Sequence, residues 1–153
     1  MDRWRPTIDI RRGAAGYFPR IAASTLAFLF AAYSACAAGD EIRVVLSGNQ
    51  EIPPVVTSAS GIGIINVGPD RSVTGSVTVS GMSPTVAHIH EAAAGANGAI
   101  VIPLTKTAEN VWTVPAGTRL TDAQYESYKA GTLYFNIHSE AHKGGEIRGQ
   151  IRP

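Results

Sequence analysis

From residue 42 to the end of the chain, apolar and polar residues alternate in short runs, and this alternation constrains the fold more than any other feature. Successive side chains of a strand point to opposite sides, so a period of two marks strands with one side toward a core. The runs are "IRVVLSG" (42–48), "SGIGIINV" (60–67), "SVTGSVTVSG" (72–81), "TVAHIHE" (85–91), "GAIVIPL" (98–104), "VWTV" (111–114), "TLYFNIHS" (132–139) and "GEIRGQI" (145–151). Between the second and third lies "GPDRS", where Pro69 presets one dihedral and Asp70 can bond its own backbone; the two runs therefore form a hairpin. Pro53-Pro54 cannot sit inside a central strand, which makes "EIPPVV" an edge or a connection. One segment breaks the pattern. In "LTDAQYESYKAGT", Thr121 can cap a helix, Gln124 can reach back to it, and Gly131 suits the left-handed residue that closes it. The expectation is an all-β fold, an antiparallel sandwich or barrel of immunoglobulin size with one short helix near residues 121–130.

The first forty residues have a different character. Arg3, Arg5, Arg11, Arg12 and Arg20 precede an apolar run, "IAASTLAFLFAAY" (21–33), and small residues follow at the spacing of a cleavage site, Ala35 and Ala37. Residues 1–38 are expected to be a signal peptide and residues 39–153 the exported domain, periplasmic or secreted. The residues after Arg11-Arg12 match a twin-arginine signal poorly. Cys36 is the only cysteine, and "YSAC" loosely resembles a lipoprotein cleavage box, with Tyr33 where an aliphatic residue is usual. A lipoprotein anchored at Cys36 is the alternative, and signal peptide or anchor would be the only route to a membrane. Cleavage after Ala37 or Ala38 leaves no cysteine, so core packing and backbone pairing must hold the fold without a disulfide. Beyond residue 38 there are eight basic and ten acidic residues with no basic stripe, which argues against nucleic acid as a partner.

Alternation also sorts the chemistry-bearing residues. In 133–138, Leu133, Phe135 and Ile137 share one side, opposite Tyr134, Asn136 and His138. In 146–151, Ile147, Gly149 and Ile151 oppose Glu146, Arg148 and Gln150. In 86–90, Ala87 and Ile89 oppose Val86, His88 and His90. The apolar sets face the core, so the histidines lie on the other side, together with Glu146 and Arg148 if the three strands are neighbours. Two imidazoles two residues apart, with a third from another strand, could share one ion, and imidazole suits copper and zinc. The candidate metal ligands are His88, His90 and His138, with Glu91 and Glu146 as candidates to satisfy the second ring nitrogens. Against this stands a plain reading: strand faces often carry histidines that simply hydrogen-bond to a carboxylate or to the backbone. His142, in a glycine-flanked turn, reads as a solvated loop residue. Arg148 and Glu146 are expected to bond across the strand pair to Asn136 or His138. Tyr125 and Tyr128 have the spacing of packing residues on a helix. No serine sits in a G-x-S-x-G elbow and no glycine loop opens a helix as a phosphate cradle does, so no catalytic residue is assigned.

"AHIHEAAAGANGAIVIPL" followed by "LTDAQYESYKAGTLYFNIHSEAHKGGEIRGQI" resembles the CHRD domain, the module repeated in chordin, and "LSGNQEIPPVVTSASGIG" fits the same pattern. The resemblance spans about residues 42–152. Glycine commonly follows the second histidine in that family, and here Glu91 does. The resemblance implies a β-sandwich module of extracellular proteins, acting as a non-enzymatic binding or structural unit whose partner is an unknown protein or small ligand. A second, local similarity is to Cu/Zn superoxide dismutase, which also carries H-x-H on a strand of a sandwich, both histidines binding copper. On that analogy His88 and His90 would be ligands and His138 a third. A dinuclear site needs more histidines than the four present, so the alternative function is a mononuclear copper- or zinc-binding protein.

Overall fold

A computed structural model describes residue 1 and residues 40–153. The expected signal peptide and the candidate anchor at Cys36 lie outside the described residues. Among the described residues the strands are β1 (Ile42–Ser47), β2 (Ser60–Val67), β3 (Val73–Ser80), β4 (Pro84–Glu91), β5 (Ala99–Pro103), β6 (Thr105–Ala108), β7 (Val111–Thr113), β8 (Leu133–Ser139) and β9 (Ile147–Gln150), with one helix, α1 (Asp122–Lys129), and a 3-10 turn at Gly48–Gln50. The all-β expectation holds. The strands form one sheet in the order β5-β4-β8-β9-β1-β2-β3-β7-β6, every pairing antiparallel. Its two edge strands, β5 and β6, are separated only by Leu104. The sheet therefore curls almost closed, a barrel-like variant of the expected sandwich.

The local signals act as the alternation requires. The β2–β3 hairpin turns through Gly68–Ser72, where Asp70 Oδ1 accepts from the backbone N–H of Ser72 at 3.1 Å. Thr121 and Gln124 make both bonds of a capping box at the start of α1, and Gly131 closes the helix with φ of 70°. β6, "TKTA", was not expected: its four residues are all exposed and carry no apolar alternation. The core is filled from the inward side of the strands. Leu46, Val77, Ala87, Ile89, Phe135, Ile137, Ile147 and Ile151 are all fully buried. Among the described residues no helix is long and apolar enough to cross a membrane.

Candidate metal site

The site lies on the side of β4, β8 and β9 opposite the core, and the register sets its layout. Residues opposed on neighbouring strands share a side of the sheet. One row runs Ile100, His90, Tyr134, Gln150; the next runs Pro103, His88, Asn136, Arg148; a third pairs Val86 with His138. The three histidines thus fall on two adjacent strands, although 50 residues separate His88 from His138 along the chain. Their rings touch edge to face, with centroids 5.4 Å apart for His88–His90 and 5.1 Å for His88–His138.

Alternation identifies the residues on this side but not what covers them. Every residue of β8 is buried, on both sides. Two loops roof the polar side. Residues 92–98 fold over it, held by Arg148, which donates to the Ala96 carbonyl at 2.8 Å and also reaches the Ala93 carbonyl, and by Gln150, which donates to the Ala92 carbonyl at 3.1 Å. Residues 48–57 form a second strap: Asn136 Nδ2 donates to Glu51 Oε1, Thr57 Oγ1 donates to Glu146 Oε1 at 2.7 Å, and Asn97 Nδ2 donates to the Ile52 carbonyl at 2.9 Å. Glu51, Asn136, Glu146 and Arg148 are all buried. The cross-strand bonds expected from Arg148 and Glu146 to Asn136 or His138 are replaced by bonds to these roofing loops. The reason is reach: Arg148 opposes Asn136 in register, but its guanidinium extends over the Tyr134 ring, 3.5 Å from the centroid, to the loop carbonyls beyond.

The outer ring nitrogens are also satisfied otherwise than expected. Glu91 points away and accepts from Ser127 Oγ, and Glu146 is taken by Thr57. Backbone carbonyls do the work instead: His90 Nδ1 lies 3.0 Å from the Gly98 carbonyl and His138 Nδ1 lies 3.0 Å from the Lys143 carbonyl. A carbonyl only accepts, so both Nδ1 atoms carry the proton and both Nε2 atoms present a lone pair. His88 Nδ1 stands 3.2 Å from His138 Nε2 and must therefore be the donor in that pair. His90 Nε2 is buried without a hydrogen-bond partner. Gly98 has no alternative at its position, because a Cβ there would overlap the Glu91 carbonyl oxygen. Tyr134 stacks on His90 at 5.1 Å and accepts from the Gly98 N–H at 3.1 Å, so it holds both the ring and the peptide that orients the ring.

Burial and the neighbouring histidines push His88 down to about 4; burial also lowers His90 and His138, and in both the carbonyl bond partly offsets the effect. All three rings are neutral at pH 7, the form that ligates metals. One nitrogen of each can be chosen so that all three lie within 4.8 Å of one another. Ligation at about 2.0–2.1 Å places imidazole nitrogens about 3.3–3.6 Å apart, so small ring rotations would close the site. An ion held by His88 Nδ1 and His138 Nε2 would replace the hydrogen bond between them, and His88 would then carry its proton on Nε2. His142 contributes no atom to this cluster. Its own carbonyl accepts from the Gly145 N–H at 3.1 Å and shapes the turn instead.

An antiparallel module with a roofed, histidine-bearing side is the class of protein that this geometry defines. The chain belongs to the CHRD domain family, which matches residues 42–151 and so covers the whole β-fold. At family level it is a binding or structural module, and CHRD domains are typically extracellular. No curated protein and no solved structure gives a match.

Proposed function

We propose that this chain is an exported CHRD module that holds one copper or zinc ion on His88, His90 and His138. The observation that supports this most directly is the partnerless, buried Nε2 of His90, aimed into a cluster of neutral imidazoles. A buried acceptor left unmade costs free energy, and a metal would satisfy it. The export reading rests on the basic, apolar and small-residue segments of residues 1–38, with cleavage near Ala37 or Ala38. No catalytic role is assigned to any residue, and the partner is a protein or small ligand of unassigned chemistry.

The test is metal uptake by the mature domain purified without a histidine tag. One equivalent of copper or zinc should bind and raise the melting temperature, and His88→Ala with His90→Ala should abolish both effects. An unchanged melting temperature in saturating metal would leave the competing reading, in which the His88–His138 hydrogen bond at 3.2 Å marks a purely structural cluster. Mass spectrometry of the mature N-terminus distinguishes cleavage near Ala37 from a lipid on Cys36.

A further inference from the structure

The surroundings of the histidine cluster differ sharply on its two flanks. Toward the sheet interior stand Tyr134, Asn136 and Arg148. Toward the sheet edge, on the same side as the histidines, the register places Val86, Ile100 and Pro103. Ile100 opposes His90 directly and is 54% exposed, Pro103 opposes His88, and Val86 is 36% exposed beside His138. The open flank of the site is therefore an apolar collar.

This proposal rests on the metal-site reading above. We propose that the collar selects monovalent copper over divalent zinc. A zinc ion on three protein nitrogens completes a tetrahedron with a fourth ligand, commonly water, which needs polar groups to hold it. Val86, Ile100 and Pro103 offer none, so on this exposed flank only bulk solvent is left to hold such a water. Copper(I), a d10 ion of single charge, is satisfied by three nitrogen donors in a plane and needs no water. The charge balance points the same way. The donor cluster contains no carboxylate, so a divalent ion keeps its full double charge at a site where two of the three ligands are buried. The cost of desolvating an ion grows with the square of its charge. The buried carboxylates Glu51 and Glu146 are engaged elsewhere, Glu51 by Asn136 and Glu146 by Thr57. On the interior flank the buried Arg148 guanidinium lies over the Tyr134 ring, while His90 stacks on Tyr134 from the β4 side. A fixed cation one ring away from the site further disfavours the divalent ion.

The experiment compares affinities of the tag-free domain for Cu(I), supplied anaerobically as its acetonitrile complex against a chromophoric chelator, and for Zn(II) against a zinc chelator. Cu(I) should bind at least tenfold more tightly than Zn(II). Ile100→Asp, an exposed edge-strand change that places a carboxylate beside His90, should narrow that ratio at least fivefold by strengthening zinc. Val86→Asp provides the same test from the His138 side. Zinc binding as tight as Cu(I) in the wild type would overturn the selectivity while leaving the metal site intact. A ratio unmoved by both aspartates would overturn the collar as its cause. Binding of neither ion would overturn the metal site and the selectivity together.

Discussion

β2 and β8 belong to the same sheet and have similar lengths, yet they are built on different plans. β2, "SGIGIINV", buries alternate residues at Gly61, Gly63, Ile65 and Val67 and leaves the others partly or fully open. β8, "LYFNIHS", buries all seven. The apolar side of each strand does the same work, since Ile65 and Phe135 are both core residues. The difference lies on the other side. That of β2 meets solvent, whereas that of β8 is roofed by residues 48–57 and 92–98 and filled with a hydrogen-bonded polar network. A polar residue in water is replaceable at small cost, but one sealed under a loop must keep its partner.

The sharpest break of that comparison is Arg148→Ala. It removes the side-chain donor of the Ala96 carbonyl, leaves the Ala93 carbonyl with the Ala96 N–H alone, and takes a neighbouring positive charge from the buried Glu51 carboxylate. Removing one member of a buried charged network costs about 3–5 kcal/mol. Denaturant unfolding should show a loss of this size, with the 92–98 amides exchanging faster. A loss below about 1 kcal/mol would mean that the roof does not depend on Arg148.

The next effect is pH dependence confined to the roofed side. His88 has a folded value of about 4 against an ordinary value near 6.5. Between those limits the unfolded chain binds a proton that the folded one refuses. Stability is therefore complete above about 6.5 and declines as pH falls toward 4. His90 and His138 are shifted in the same direction. Because His88 is only partly buried, the expected loss is discounted for solvent screening to about 1–2 kcal/mol. Glu51, which burial raises, works in the opposite sense in acid. The diagnostic is thus the difference between wild type and His88→Gln, which should flatten the slope between pH 6.5 and 4.

Asn97→Ala tests a tie between the two roofing loops. Asn97 is exposed, and its amide donates to the Ile52 carbonyl. The loss should be about 0.5–1.5 kcal/mol, the net worth of one hydrogen bond. Chemical denaturation should detect it, together with faster exchange in residues 48–57.

The same contrast explains what could be read in the sequence. Alternation reports which residues share a side, so it correctly grouped His88, His90 and His138 with Arg148 and Glu146. It also placed Tyr134 among them, where its stacking role could have been noticed. Alternation does not report what lies above that side. The groups that orient the histidines are the carbonyls of Gly98 and Lys143, and a carbonyl belongs to every residue and leaves no mark in a sequence. The long reach of Arg148 to residues 93–97 is likewise a property of loop folding. β6 escaped for a related reason: its four exposed residues carry no apolar alternation, and what ties them to β7 is the backbone pairing, with Lys106 lying over the Trp112 ring.

The smallest effect is expected on β3, next to β2, at Thr78. Its side chain is exposed, it opposes Ile62 on β2 and Val111 on β7, and no roof covers it. Thr78→Ala loses some strand preference and no buried hydrogen bond, so the change should stay within about 0.5 kcal/mol. Thr78→Val, which restores the branched shape without the hydroxyl, should return to wild type by thermal melting. A cost at Thr78 approaching that at Arg148 would mean that the open side of the sheet is covered in solution, and the contrast between β2 and β8 would then fail at its premise.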